Sequence, residues 1–122
     1  MKKIFLACMV LILLAACAPK PTSPDQTIET SPGKNFQILI EANPTTGYHW
    51  EIVGELDKSV VEFVSKEYQS TSQPGSVGGG GVDVWTFKAV AAGQTKITLG
   101  SYPPSNTTTD PAETETFGIS VK

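Results

Sequence analysis

Few side chains in this sequence have the chemistry that a catalytic centre needs. His49 is the only histidine, arginine is absent, and the two cysteines are Cys8 and Cys17, near the amino terminus. Glu113 and Glu115 are the best candidates for a carboxylate pair, but they alternate with threonine, which is typical of an exposed strand face. His49 lies in a similar alternating pattern, which predicts a surface position beside a loop. Acid–base catalysis needs a base and a partner group within hydrogen-bond reach, so the sequence argues against an enzyme.

The amino terminus has the parts of a secretory signal. Lys2 and Lys3 precede a short apolar run, Ile4 to Leu14, and small residues follow it. The run is shorter than the roughly 20 residues that a membrane-spanning helix needs. Residues 14–17, Leu-Ala-Ala-Cys, resemble a bacterial lipobox. This resemblance implies cleavage before Cys17, acylation of Cys17, and an extracytoplasmic location, lipid-anchored to a bacterial membrane in the periplasm or at the cell surface. The alternative is an ordinary signal in which Cys17 is incidental.

Such processing would also remove thiol chemistry from the mature chain. Cys8 lies in the predicted signal peptide, residues 1–16, and lipid would occupy the sulfur of Cys17, so no thiol remains and we expect no disulfide. We also expect no metal site and no cofactor. Loss of Lys2 and Lys3 leaves a formal charge of about −5, because the remaining lysines are opposed by twelve carboxylates. An acidic chain without arginine lacks the basic face that binds phosphates, so we expect no nucleic acid partner. We also expect a monomer.

The mature chain divides into a linker and one domain. Residues 17–31 are rich in Pro, Thr and Ser and contain few apolar side chains, which predicts a lipidated cysteine followed by a flexible stalk that contributes nothing to a core. Residues 32–122 remain, and about 90 residues have room for only one small domain.

Alternation of apolar and polar residues with a period of two dominates this domain. Each alternating run predicts a short strand with one buried face, and turn-rich segments separate the runs. The fold class is therefore all-β, and we predict a two-sheet sandwich with Trp50, Trp85, Phe63 and Phe87 in its core. The alternating residues are Phe36, Ile38, Ile40, Tyr48, Trp50, Ile52, Val61, Phe63, Trp85, Phe87, Ala89, Thr95, Ile97, Leu99, Phe117, Ile119 and Val121.

Three segments between these strands are candidates for a binding site. In the first, residues 43–48, Pro44 fixes φ and Gly47 permits a positive φ, which predicts a stiff loop with two threonines at its tip. The second contains four consecutive glycines, Gly78 to Gly81, which allow the backbone to approach another surface closely. The third, from Gly100 to Pro111, contains Tyr102-Pro103-Pro104.

The first two segments carry a specific resemblance. Residues 43–50 read Asn-Pro-Thr-Thr-Gly-Tyr-His-Trp, and residues 78–93 read Gly-Gly-Gly-Gly-Val-Asp-Val-Trp-Thr-Phe-Lys-Ala-Val-Ala-Ala-Gly. Together they are similar to the chagasin family of cysteine-peptidase inhibitors, and the similarity extends over roughly residues 32–122. It implies an immunoglobulin-like sandwich with three loops at one end that enter the cleft of papain-like (clan CA) cysteine peptidases. The family's third-loop motif, Arg-Pro-Trp or Arg-Pro-Phe, aligns with Tyr102-Pro103-Pro104, in which only the proline is kept.

The resemblance implies a reversible inhibitor that covers the catalytic cysteine of a peptidase without offering a bond for attack. Tyr102 is then a candidate aromatic anchor, since tyrosine is enriched at binding hot spots. The alternative is an immunoglobulin-like surface lipoprotein that binds another envelope component or protein without inhibiting a peptidase. The peptidase-binding residues that the resemblance implies are Asn43, Pro44, Thr45, Thr46, Gly47, Tyr48, Gly78, Gly79, Gly80, Gly81, Tyr102, Pro103 and Pro104.

Overall fold

The chain is built almost entirely from β-strands. The computed structural model describes residues 20–71, 80–104 and 110–122. Within these ranges, no helix has the length and apolar character needed to span a membrane. The strands are β1 (Ile28–Thr30), β2 (Asn35–Ala42), β3 (His49–Ile52), β4 (Val61–Ser70), β5 (Gly81–Ala89), β6 (Gly93–Tyr102) and β7 (Glu113–Val121), and Pro44–Thr46 forms one turn of 3-10 helix.

The strands form two sheets. β1, β7, β6 and β3 lie side by side in this order in the first sheet, and β2, β5 and β4 form the second. Neighbouring strands are antiparallel, except that β1 runs parallel to β7. The prediction of an all-β, immunoglobulin-like two-sheet sandwich is confirmed.

The core lies between the sheets and is filled by alternate residues of the strands. Successive side chains of a strand point to opposite faces, so the residues that alternate along β2, β5, β6 and β7 are buried together. Phe87 and Phe117 are fully buried, and Phe36 stacks on Phe87 with 5.7 Å between ring centroids. Three of the four aromatic residues predicted for the core, Trp50, Trp85 and Phe87, are buried.

Phe63 is the exception, and its prediction as a core residue is wrong. Its side chain is 46% exposed. Phe63 lies on β4, which is an edge strand of its sheet, and the register with β5 shifts between Phe63 and Ser65. A bulge of this kind turns side chains away from strict alternation. The ring still contacts the rim of the core, with its centroid 5.8 Å from that of Trp85 and 6.0 Å from that of Phe87.

The prediction that residues 17–31 contribute nothing to the domain is also wrong from Thr22 onward. Ile28 to Thr30 form β1, and Ile28 packs against the core. Further upstream, the Thr22 amide donates a hydrogen bond of 2.7 Å to the Leu39 carbonyl, and the Leu39 amide donates to the Thr22 hydroxyl at 2.9 Å. The polar composition hid these contacts, because they are made largely by backbone groups and one isoleucine.

A domain beginning at Ser31 is therefore expected to be less stable than one beginning at Lys20. The shorter domain loses the pairing of β1 with β7, the contacts of Ile28 and both hydrogen bonds between Thr22 and Leu39. The two hydrogen bonds of Thr22 and the contacts of Ile28 alone contribute about 3 kcal/mol, because a net hydrogen bond contributes about 1 kcal/mol and a buried apolar side chain somewhat more. The released segment regains conformational entropy, which offsets part of this, so we expect a net loss of about 2 kcal/mol. For a domain of this size, thermal unfolding should occur about 8 °C lower or more. Equal melting temperatures would show that the segment only rests on the sandwich.

Candidate functional site

The three candidate loops leave the two sheets at the same end of the sandwich. Ala42, the last residue of β2, pairs with Gly81, the first residue of β5, and Gly81 also pairs with Ser70, the last residue of β4. In the other sheet, His49 at the start of β3 pairs with Tyr102 at the end of β6. The connections from β2 to β3, from β4 to β5 and from β6 to β7 are therefore neighbours.

The first loop, residues 43–48, is held by hydrogen bonds within itself. Asn43 caps the 3-10 turn, and its side-chain oxygen accepts from the Thr45 amide at 3.1 Å and from the Thr45 hydroxyl. The Asn43 carbonyl accepts from the Thr46 hydroxyl at 2.8 Å and from the Thr46 amide at 3.2 Å. Its polar groups satisfy one another, so the loop keeps its shape although Pro44 to Tyr48 are exposed. The proline at the start of the turn and the positive φ predicted for Gly47 are both present.

Gly47 joins the first loop to the third. Its φ of 77° lies in the left-handed region, and its amide donates to the Pro44 carbonyl at 3.1 Å. A Cβ at this position would lie 2.8 Å from the Cβ of Pro104. Both the backbone conformation and the contact therefore favour glycine here. The Pro103-Pro104 segment of the third loop supports the first loop from one side.

Trp50 fixes the stem of the first loop. Its indole nitrogen donates a hydrogen bond of 2.8 Å to the carbonyl of Glu41, which lies two residues before the loop. Its own carbonyl accepts a hydrogen bond of 2.8 Å from the Lys66 ammonium group, which reaches across from β4 in the other sheet. These two bonds connect the entry and the exit of the loop to the body of the sandwich.

Lys66 also balances a buried charge. Its Nζ lies 3.9 Å from a carboxylate oxygen of Asp83, on the central strand β5, and 5.0 Å from the ring centroid of Trp85. Burial raises the pKa of the Asp83 carboxyl, while Lys66 lowers it and the carboxylate of Glu51 raises it. Because an unpaired carboxylate is costly in a protein interior, Lys66 offsets part of the desolvation of Asp83.

Sequence reasoning missed both members of this pair. Asp83 lies between Val82 and Val84 on a strand that is buried on both faces. A charged residue within an apolar run could have indicated a buried carboxylate that needs a cation. Nothing in the sequence pointed to Lys66, since β4 is exposed along most of its length. The choice of partner depends on the register of β4 against β5, in which Lys66 lies opposite Trp85, two residues along the strand from Asp83.

The described part of the second loop consists of its two ends. Gly78 and Gly79, predicted to contact a peptidase, lie outside the described residues, whereas Gly80 is half-buried and Gly81 is buried. A Cβ at Gly81 would lie 2.2 Å from the Gln69 carbonyl oxygen, but a Cβ at Gly80 would meet its nearest neighbour, the Ala42 carbonyl oxygen, at 3.6 Å. Packing against β4 thus requires glycine at position 81, whereas a Cβ at position 80 would make only an ordinary contact.

An open groove of about 550 Å³ separates the first loop from the second. Glu41, Glu113 and Glu115 line it, together with Asn43 and Gly80 at its margins. Burial raises the pKa of the Glu115 carboxyl, and the nearby carboxylates of Glu113 and Glu41 raise it further. Glu113 is exposed, as the sequence pattern suggested, but Glu115 is half-buried at the open end of the sandwich, in phase with the buried Phe117.

The third loop is described up to Pro104, and residues 105–109 lie outside the described residues. Tyr102 and Pro103 are half-buried, and Pro104 is exposed. The Tyr102 ring stacks on that of His49, with 5.9 Å between the centroids and 27° between the planes. His49 was expected to be a surface side chain beside the first loop; it is beside the loop, but it is only partly exposed.

This end of the molecule has the features of a binding surface rather than of a reaction centre. Within the described ranges, no group of three or more histidine, cysteine, aspartate or glutamate side chains could hold a metal ion. The exposed groups include the side chains of Thr45 and Thr46 and the Tyr48 ring, which is 46% exposed. The backbone of the same loop is also exposed and is held by hydrogen bonds within the turn. Such a surface can bind another protein through its shape.

Comparisons with known proteins agree with this description. The model of the family described as "Chagasin family peptidase inhibitor I42" matches residues 29–121. The fold is similar to that of the cysteine protease inhibitor EhICP2 from Entamoeba histolytica, at 22% identity, with 80% of this chain and 90% of that chain covered and a TM-score of 0.61. It is also similar to the solution structure of amebosin, at 26% identity, with the same coverage and a TM-score of 0.56. No protein with a curated description matches the sequence. Because the family model covers most of the chain, this protein belongs to the chagasin family, whose members inhibit cysteine peptidases and are not enzymes.

Proposed function

We propose that this protein inhibits papain-like cysteine peptidases by placing the three loops at one end of its sandwich in the active-site cleft. The observation that carries the proposal is the first loop, in which Asn43 and Thr46 bond each other and Gly47 rests on Pro104. A loop that is already ordered loses little conformational entropy on docking, so more of the contact energy contributes to affinity. The loop would lie across the catalytic cysteine and prevent access of substrate.

The other two loops would flank this central contact. Gly78 to Gly81 would bring backbone close to the peptidase and add hydrogen bonds in the manner of an extra strand. Tyr102, Pro103 and Pro104 would contact the opposite side of the cleft. Residues 32–122 contain no thiol that could form a disulfide with the catalytic cysteine of a peptidase, so the complex would be reversible. A single copy of the domain presents all three loops.

Replacing Thr46 by alanine should weaken inhibition of papain by about 5- to 150-fold, the range of a binding hot spot of 1–3 kcal/mol. The change removes a methyl group at the centre of the contact and the hydroxyl that donates to the Asn43 carbonyl. Thr46→Ser keeps the hydroxyl that orders the loop but loses the methyl group, and Thr46→Val keeps the shape of the side chain but loses the hydroxyl. Comparing the two variants shows whether the loss of inhibition comes from a less ordered loop or from a lost contact with the peptidase. The inhibition constants would be measured against papain of known active-site content.

The unaltered domain is the reference in this experiment. Competitive inhibition, with the inhibitor recovered intact after long incubation, is the expected result. Cleavage between Asn43 and Tyr48 with loss of inhibition would make the first loop a substrate. A folded domain that binds no papain-like peptidase would instead favour an envelope-binding role. An unchanged inhibition constant for Thr46→Ala would remove the first loop from the centre of the contact.

We place the protein outside the cytoplasm, attached through lipid on Cys17 to a bacterial membrane, in the periplasm or at the cell surface. Support comes from the Leu-Ala-Ala-Cys sequence at residues 14–17, which lies outside the described residues. Cys17→Ser should abolish incorporation of a labelled fatty acid, because serine cannot form the thioether linkage. Equal labelling of the variant and the unaltered protein would exclude Cys17 as the attachment site.

A further inference from the structure

His49 and Tyr102 form a pair of rings at the edge of the candidate site. They are directly opposite each other on β3 and β6, and their rings stack at a centroid distance of 5.9 Å. Side chains alternate between the faces of a strand, and the neighbouring Trp50 points into the core, so the His49 ring lies on the outer face of the sheet. Both residues are half-buried, and neither belongs to the hydrophobic core.

The pair occupies the junction between the first and third loops. His49 directly follows Tyr48, the exposed last residue of the first loop, and Tyr102 directly precedes Pro103 and Pro104. The contact between Gly47 and Pro104 holds the two loops together at this point. The positions of the two rings are therefore determined by the pairing of β3 with β6 and by the adjoining first and third loops.

From this geometry we infer that His49 and Tyr102 act as one contact in the complex with the peptidase. The inference rests on the proposed function and adds His49, which the family motif does not include, to the binding surface. Stacked rings on paired strands have little freedom to lose, and rigid aromatic groups with a polar edge are common anchors at protein interfaces. The pair thus supplies an aromatic surface in a third loop whose motif ends in proline rather than tryptophan or phenylalanine.

The partner that this surface fits is an apolar or aromatic side chain at the rim of the peptidase cleft. Tyr48, which directly precedes His49 and is 46% exposed, is a further aromatic side chain at this end, whereas Glu41, Glu113 and Glu115 line the groove between the first and second loops. The ring pair would determine which peptidases bind well, whereas the first loop would act on all peptidases with the same catalytic residues.

The test is a double-mutant cycle on the domain from Lys20 to Lys122, with papain as the probe. His49→Ala and Tyr102→Ala should each raise the inhibition constant about 10-fold. The double variant should raise it by much less than 100-fold, because either single change already breaks the stack. Tyr102→Phe and His49→Phe keep both rings and should change the inhibition constant less than 3-fold.

Thr98→Ala is the matched control, because Thr98 lies on β6, on the same face as Tyr102 and four residues further from the loops. It should leave the inhibition constant unchanged. If the alanine variants lower the melting temperature but inhibit papain normally, the pair is only part of the sheet and the inference is wrong. If Thr46→Ala weakens inhibition while both ring variants do not, the proposed function stands and this inference alone is lost. If the unaltered domain fails to inhibit, both are lost.

Discussion

Replacing Gly81 by alanine should destabilise the domain by about 3 kcal/mol, the upper end of the cost of overpacking a protein interior. The added Cβ would lie 2.2 Å from the Gln69 carbonyl oxygen and 2.6 Å from the Tyr68 hydroxyl oxygen. The tyrosine side chain can move away, but the carbonyl belongs to the backbone of β4, which pairs with β5 along this whole edge. The two strands would have to separate where the second loop begins. Chemical denaturation measures the loss.

Gly80→Ala is the control for this change. A Cβ at Gly80 would be 3.6 Å from the Ala42 carbonyl oxygen, which is an ordinary contact, and the free energy of unfolding should change by less than about 0.5 kcal/mol. Similar stabilities for the two variants would show that β4 yields easily at this end. In that case the requirement for glycine at position 81 would have to come from binding rather than from packing.

Replacing Lys66 by methionine should cost about 2–3 kcal/mol at pH 8. The change leaves the buried Asp83 carboxylate without its cation and the Trp50 carbonyl without its donor. This figure is below that for breaking a fully buried pair, because about a third of the Lys66 side chain is exposed. Lys88→Met, on the outer face of β5, is a suitable control because Lys88 is exposed.

The deficit of the Lys66 variant should shrink on acidification. The pKa of Asp83 is already raised by burial, and removal of Lys66 takes away the interaction that lowers it. The pKa of Asp83 in the folded variant is then higher than its pKa in the unfolded chain, so the folded state binds a proton more readily. The free energy of unfolding of the variant therefore rises as the pH falls through the pKa of the folded state. Unfolding at pH 5 and pH 8 tests this expectation. Adding Asp83→Leu to Lys66→Met removes the unpaired carboxylate and should restore the stability at pH 8. If the double variant stays less stable, the loss comes instead from the Trp50 carbonyl, which no longer has the Lys66 donor.

Most of the fold could be predicted because strand alternation is a local property. The runs around Ile38, Phe87, Ile97 and Ile119 each bury every second residue, and two sheets are the usual way to cover such faces. The first loop was also readable, since Pro44 and Gly47 restrict φ at their own positions. The third loop was not, because its support for the first loop depends on the approach of Pro104 to Gly47 in space.

The errors share a physical cause, which is that edges and chain ends are determined by neighbours distant in the sequence. Phe63 alternates like a core residue, but it lies on an edge strand beside a bulge. Asp83 is tolerated only because Lys66 reaches it from another strand. Ile28 is a single apolar residue in a polar segment, and its burial depends on β7, about 90 residues further along the chain.

The two hydrogen bonds between Thr22 and Leu39 shorten the distance over which an anchored form of this protein could act. If Cys17 carries lipid, only four residues separate it from Thr22, and the five steps along the chain reach at most about 18 Å. Leu39 lies four residues before Asn43, a further distance of about 13 Å along the strand and into the first loop. With about 5 Å between the hydrogen-bonded backbones of Thr22 and Leu39, the lipidated cysteine and the first loop would then lie within about 36 Å of each other. Such an inhibitor would bind peptidases only in a thin layer next to the bilayer. Its local concentration in this layer would be higher than if a long linker let the domain move through a larger volume.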